Sequence, residues 1–251
     1  MRRGWPMALA VLAVLTGIAS AGIAAGYFVI RGRLPRAATV HELDGIIQKA
    51  LDDDRLNEHP PFEQPALESF PRSLVVLHLT RLGCPTFLQA PPERGVRWAS
   101  RLVRGLAGWD GDGADGACER TFAVQLAQRI GARSSLEATV LANELHRLLS
   151  KELLVAYDLA TAPVTPGTIG APVTSEILFN RPIAGLDLAD SAQLVVALPP
   201  DGLWKEERNC RSLELIAQRR SQLLEAARQA GLFTLEEVRA ASIQPVFCHA
   251  R

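Results

Sequence analysis

The sequence predicts a mainly α-helical domain, and three observations carry that prediction. Helix-start signals recur. Thr39-Val-His-Glu42, Ser134-Ser-Leu-Glu137 and Thr234-Leu-Glu-Glu237 are capping boxes, in which an N-cap hydroxyl and a glutamate three residues on satisfy each other's backbone donors. Apolar residues then return at helical spacing, and little of the chain alternates as a half-buried strand does. Finally, Gly131 and Gly231 stand where two periodic stretches stop, the usual place for a left-handed residue.

At 251 residues the chain can hold one sizeable domain plus an anchor, or two small domains. Its 27 basic and 27 acidic residues cancel, which removes the electrostatic case for nucleic-acid binding. Behind a short tail (1–6), Met7 to Ile30 forms 24 consecutive residues without a charge. About 20 apolar residues span a bilayer core, so 7–30 reads as a transmembrane helix and the lipid bilayer as a partner. Ala19-Ser20-Ala21 resembles a signal-peptide cleavage site, but the run continues nine residues past it, which favours an uncleaved anchor. Arg2 and Arg3 precede the run while Arg31, Arg33 and Arg36 follow it, so charge leaves the orientation open.

Residues 31–66 read as a stalk and 67–251 as the domain. Within the stalk, the Thr39 box opens a helix through about Leu51, the acidic run Asp52-Asp-Asp54 ends it, and Pro60, Pro61 and Pro65 keep the next stretch extended. His59 there reads as solvated. Ser73 to Thr80 is a buried element whose periodicity does not separate helix from strand. His78 within it reads as a hydrogen-bonded core histidine. Three prolines between Cys84 and Pro92 forbid a helix interior. Val96, Ala99, Leu102, Val103 and Leu106 then fall on one side of a helix from Glu93 to Leu106.

Gly108 to Gly116 reads as a loop. Asp110, Asp112 and Asp115 there do not have the spacing of a calcium loop, and no glutamate stands at the twelfth position. A helix over 117–130 follows, then a long one from Ser134 to about Leu149 with a stripe of Leu136, Val140, Leu145, Leu148 and Leu149. Pro163 to Pro172 reads as a loop of roughly ten residues, longer than the usual connection and therefore a candidate functional loop. Asp187 caps an apolar helix that stops before Pro199-Pro200, a long amphipathic helix runs from Glu206 to Ala230, and Thr234 opens a short last one.

The four cysteines, Cys84, Cys118, Cys210 and Cys248, form no C-x-x-C pair and have no histidine at ligand spacing, which argues against a zinc site. They allow three full pairings. Inside the cytoplasm they read as buried thiols; outside it, as disulfides.

The order of these elements, and several short segments, are similar to the peptidoglycan glycosyltransferases: the transglycosylase domain of class A penicillin-binding proteins and the monofunctional enzymes. Leu148-Leu-Ser-Lys-Glu152, Leu178-Phe-Asn-Arg-Pro182, Leu186 to Leu194 and Ala197-Leu-Pro199 resemble that family's R-x-S-K-E, Y-F-G-K-P, L-S-L-A-E-A-A-L-L and L-P segments, at nearly ungapped spacing. The resemblance covers about 70–241. It implies a lysozyme-like helical fold behind one transmembrane helix and an address in the inner membrane, single-pass, with the domain on the periplasmic side. It also implies a lipid-linked disaccharide, a glycan strand or an envelope protein as partner, with no cofactor and no metal.

The family's motifs have eroded where the chemistry sits. In E-D-x-x-F-x-x-H-x-G the glutamate is the general base that takes the acceptor hydroxyl's proton. Matching on Phe87 places it at Gly83, its neighbouring aspartate at Cys84, the histidine at Ala90 and the last glycine at Pro92. Loss of a positioned base costs about 10²–10⁴ in rate. Glu93 is the nearest carboxylate, and Glu119 and Glu137 are further candidates for a relocated base. G-G-S-T-I-T-Q-Q-L-A corresponds to Cys118 through Ala127 and keeps Thr121 and Gln125. R-K-x-x-E pairs Arg133 with Glu137 only after a one-residue shift, and Glu137 reads first as the capping partner of Ser134. Asp158 stands where a tyrosine is usual.

The resemblance therefore implies Phe87, Thr121, Gln125 and Arg133 as residues of a former substrate cleft. The expectation is a degenerate transglycosylase-like domain, with an active glycosyltransferase using a relocated base as the alternative. Because the first two motifs face one cleft in the family, Cys84 and Cys118 are expected to pair, with Cys210 and Cys248 as the second bridge.

Overall fold

The computed structural model describes residues 21–22, 25–53, 64–90, 114–165, 168–198 and 213–247. It is mainly helical. In chain order the elements are α1 (25–33), α2 (Val40–Asp53), α3 (Arg72–Arg81), α4 (Ala114–Arg129), α5 (Ser135–Leu148), α6 (Lys151–Thr161), β1 (Pro163–Thr165), β2 (Thr168–Ile169), α7 (Gly170–Phe179), α8 (Leu188–Ala197), α9 (Leu213–Gln229) and α10 (Leu235–Ser242).

Two helices form the centre. In α8 every residue from Ala189 to Ala197 is buried, and α6 buries the run from Leu154 to Leu159. A helix buried on all sides belongs inside a bundle rather than on its surface, and the polar groups it carries there are paired. Around α8 pack α3, α9 and α10; around α6 pack α4 and α7; α4 in turn lies on α5. Ser73 to Thr80 is thus helical, and Leu74, Leu77 and His78 form its inward stripe. In α9 the buried positions Ile216, Arg220, Leu223, Leu224 and Ala227 follow the helical repeat. Gln193 of α8 holds the chain after α10 by both main-chain groups of Phe247: its amide donates to the Phe247 carbonyl at 2.6 Å and accepts from the Phe247 N–H at 3.0 Å.

The caps follow the sequence signals. Ser134 and Glu137, and Thr234 and Glu237, close reciprocal capping boxes; Asp187 accepts from the Asp190 N–H. At α2 Thr39 accepts from Glu42 N–H at 3.2 Å, while the Glu42 carboxylate reaches Ala38 N–H at 2.6 Å. Gly131 and Gly231 end α4 and α9 with φ of +114° and +74°.

Three stretches differ from the sequence reading. The expected stalk, 31–66, places Leu34, Leu43 and Ile47 in the core, and Tyr157 of α6 donates its hydroxyl to Asp44. Leu43 and Ile47, four apart on one face, give α2 an apolar side that solvent would not tolerate. The expected loop over Pro163–Pro172 is instead an antiparallel β1–β2 hairpin that leads straight into α7. Val164 and Ile169 suit extended backbone, and Pro172 falls in the first turn of α7, where its missing N–H costs no helix bond. Helix α4 begins at Ala114, three residues before the predicted start, the strong helix formers Ala114 and Ala117 outweighing Gly116.

Among the described residues no helix is long and apolar enough to cross a membrane. The predicted anchor lies largely outside them, as do the predicted helix from Glu93 to Leu106, the Asp110–Asp112 stretch, His59, Cys210 and Cys248.

Candidate functional site

Helix α4 carries the surviving signature, and its inner face divides the site in two. Phe122, Leu126 and Ala127 pack into the core, while Glu119 near the start and Arg129 at the end each enter a buried charged cluster.

At the end of α4, Asp158 of α6 is 2 % exposed. His78 Nε2 lies 2.8 Å from one of its oxygens, and an Arg129 terminal nitrogen lies 2.9 Å from the other. Arg129 also donates to the Asp158 carbonyl at 3.1 Å and to Thr161 Oγ1 at 2.9 Å. Burial alone would raise the Asp158 carboxyl. The Arg129 charge, then the hydrogen bond and charge of His78, outweigh that and hold it below the ordinary carboxylate range. The carboxylate therefore stays ionised, with both oxygens engaged. Above this cluster opens a cavity of about 360 Å³ lined by His78, Gln125, Gln128, Arg129, Asp158 and Ala162 among others.

At the start of α4, Glu119 is 6 % exposed. Its carboxylate lies 3.0 Å from His146 Nδ1 of α5 and 3.8 Å from Lys151 Nζ of α6. Lys151 donates to the carbonyls of Phe87 and Ala90, each at 3.1 Å, with its ammonium 4.6 Å above the Phe87 ring. Lys151 thus ties the turn after α3 to the bundle. A disulfide makes a second tie: Cys84 in that turn is bonded to Cys118 on α4, with their Cα atoms 6.1 Å apart. This is the pairing that the resemblance led us to expect.

The structure distributes the predicted site residues unevenly. Gln125 is half-buried and lines the cavity. Thr121 is exposed on the same helix. Phe87 is fully buried, its ring 5.3 Å from that of Phe122. Arg133 is exposed, and its N–H donates to Glu137 at 2.7 Å. Glu137 also completes the Ser134 cap, so its carboxylate serves the start of α5. Gly83, matched to the family's catalytic glutamate, lies in an exposed turn with φ +75°. Glu93 lies outside the described residues.

Sequence reasoning left His78, Arg129, Asp158 and Lys151 out of the site. The available signal was an ionisable side chain within an apolar run, as with His78 in Ser73–Thr80 and Asp158 in Leu153–Leu159, since such groups enter a core only when paired. Chemically, neither cluster offers a free general base. The Asp158 carboxylate is engaged by His78 and Arg129, and Glu119 lies against Lys151 and the His146 ring. Among the described residues no three His, Cys, Asp or Glu side chains gather as metal ligands. No protein-family model matches the chain, and no curated protein matches it at a significant level.

Proposed function

We propose that this chain is a membrane-anchored, transglycosylase-like domain of lysozyme-like fold that has lost catalysis and serves as a binding or scaffolding component in the cell envelope. The observation that carries the reading is the Cys84–Cys118 disulfide. It joins the two segments that the resemblance assigns to the catalytic motifs, at the position next to the missing glutamate. A buried structural disulfide also fits an oxidising compartment, which favours the periplasmic side of the inner membrane. The Asp158 carboxylate, engaged at its two oxygens by His78 and Arg129, supports the same conclusion. The cavity beside Gln125 is the surface left for a glycan strand or lipid-linked disaccharide, with an envelope protein as the other partner class.

The decisive experiment is polymerisation of a lipid-linked disaccharide by the purified full chain. The expected result is no polymer at high protein concentration, together with retained binding of the substrate. One observation favours an active alternative: Glu119 Oε2 is buried and has no hydrogen bond among the described residues. Polymer formed by the wild type and abolished in Glu119→Gln would replace the first reading with that one.

A further inference from the structure

The end of the charge-free run is not a free tether. On α1, Tyr27, Ile30 and Arg31 are half-buried and the following Leu34 is buried, which is the i, i+3, i+4, i+7 stripe of a helix docked along one side. Tyr27 and Ile30 pack against the core cluster that includes Leu34. Two polar contacts converge on one carboxylate: Tyr27 Oη donates to Glu144 Oε1 at 3.1 Å, and an Arg31 terminal nitrogen lies 3.4 Å from Glu144 Oε2. The Arg31 and Glu144 side chains are only 18 % and 28 % exposed, so water screens the pair incompletely. Arg31 also donates to the Pro35 carbonyl at 3.3 Å, which fixes the turn out of the helix.

The opposite side of α1 is different. Phe28 and Val29 are 71 % and 56 % exposed, at the end of a run without charge, whereas Gly32 and Arg33 follow exposed on the same side. A large apolar pair adjoining a tyrosine hydroxyl and an arginine is the pattern of a helix leaving the hydrocarbon layer, with amphipathic side chains at the headgroup level. We infer that Tyr27, Arg31 and Glu144 form a clasp that holds the domain flush against the bilayer, with Phe28 and Val29 in contact with lipid acyl chains. This rests on the proposal that 7–30 is a membrane anchor. It adds that the anchor and the domain move as one body, with α5 beside the membrane surface.

Trypsin release of the domain from proteoliposomes of the full chain tests the clasp. Cleavage after Arg33, in the last turn of α1, separates domain from anchor and is the site read in every protein compared, with Arg36, exposed beyond the helix, replaced by Gln throughout. Arg31→Gln and Tyr27→Phe on α1, and Glu144→Gln on α5, should each speed release by about tenfold, the effect of losing one charge-assisted contact. The double exchange Arg31→Glu with Glu144→Arg should restore slow release. Release at the wild-type rate in all single variants overturns the clasp. A separate measurement addresses the anchor: extraction of the wild-type chain by alkaline carbonate overturns the membrane reading itself. Benzoylphenylalanine at position 28 identifies the occupant, with a phospholipid adduct expected; adducts to protein alone overturn the lipid contact.

Discussion

His78 Nε2 and Asp158 Oδ2 lie 2.8 Å apart, although 80 residues of chain separate them. Both side chains are 3 % exposed, so the pair stitches α3 to α6 in the interior. The guanidinium of Arg129, its side chain 19 % exposed, makes Asp158 the shared anion of three helices. Removing one member of such a buried group leaves a desolvated charge without its partner.

Asp158→Asn should therefore lower stability at pH 7 by about 3 kcal/mol. The pH dependence follows from the direction of its shift. Its folded-state value lies below the ordinary 3.8, so the stabilisation is present above that value and is lost as pH falls through the folded one. The stability gap between wild type and variant should persist at mildly acidic pH and narrow only below about pH 4. Urea unfolding followed by circular dichroism across pH 3 to 7 measures it. A gap that closes near pH 6 would assign the stabilisation to another group.

The Cys84–Cys118 bond closes a loop of 34 residues. A chain-entropy estimate for that length is about 3–4 kcal/mol. The double variant Cys84→Ala/Cys118→Ala should lose that amount in chemical unfolding. Wild type should lose at least that amount in strong reductant, and the variant should respond only through the second bridge expected between Cys210 and Cys248. A reductant response in the variant would point to a bridge involving Cys210 or Cys248.

What could be read from the sequence depended on range. The caps at Ser134, Asp187 and Thr234 are decided within three residues, so the helix starts were legible there. His78 and Asp158 each looked like an isolated oddity, because their meaning lies in a contact 80 positions away. The β1–β2 hairpin was hidden by its brevity: three and two residues leave no periodicity to detect, while the surrounding prolines and glycines spell a loop. In α1 the apolar run signalled bilayer thickness and masked the narrower stripe of Tyr27, Ile30, Arg31 and Leu34. Of the site, Gln125 and the Cys84–Cys118 pair came from the resemblance. Arg129 did not, because nothing in its own segment marks it as a buried partner, and Lys151 stood in the segment resembling R-x-S-K-E, which supports the fold more than a site.

Lys151 satisfies the Phe87 and Ala90 carbonyls and faces Glu119. Lys151→Met keeps the stem's volume and removes every donor. It should cost about 2–3 kcal/mol, mostly from the orphaned carbonyls and the unbalanced carboxylate. Glu119→Gln combined with it should cost about 1 kcal/mol less than the sum of the two single changes, since the second no longer breaks an intact pair. A double-mutant cycle in urea reads this coupling directly, and strict additivity would mean that the 3.8 Å approach carries no energy.

Two glycines separate conformational strain from steric conflict. Gly231 has φ +74° with open space where a Cβ would stand, so Gly231→Ala meets only the left-handed backbone cost of about 1–2 kcal/mol. Gly170 has φ +83°, and a Cβ there would come within 2.2 Å of the Ala160 carbonyl oxygen, a backbone atom at the end of α6 that cannot rotate away. Its N–H also donates to the Ala162 carbonyl at 2.8 Å, which fixes how the hairpin returns to α7. Relieving the clash requires the two helix ends to separate, and that would pull Asp158 and Thr161 away from Arg129. Gly170→Ala should therefore cost clearly more than Gly231→Ala, by about 2 kcal/mol or more. Thermal unfolding of the two variants side by side provides the comparison, and equal losses would show that α7 accommodates the methyl group by a rigid shift.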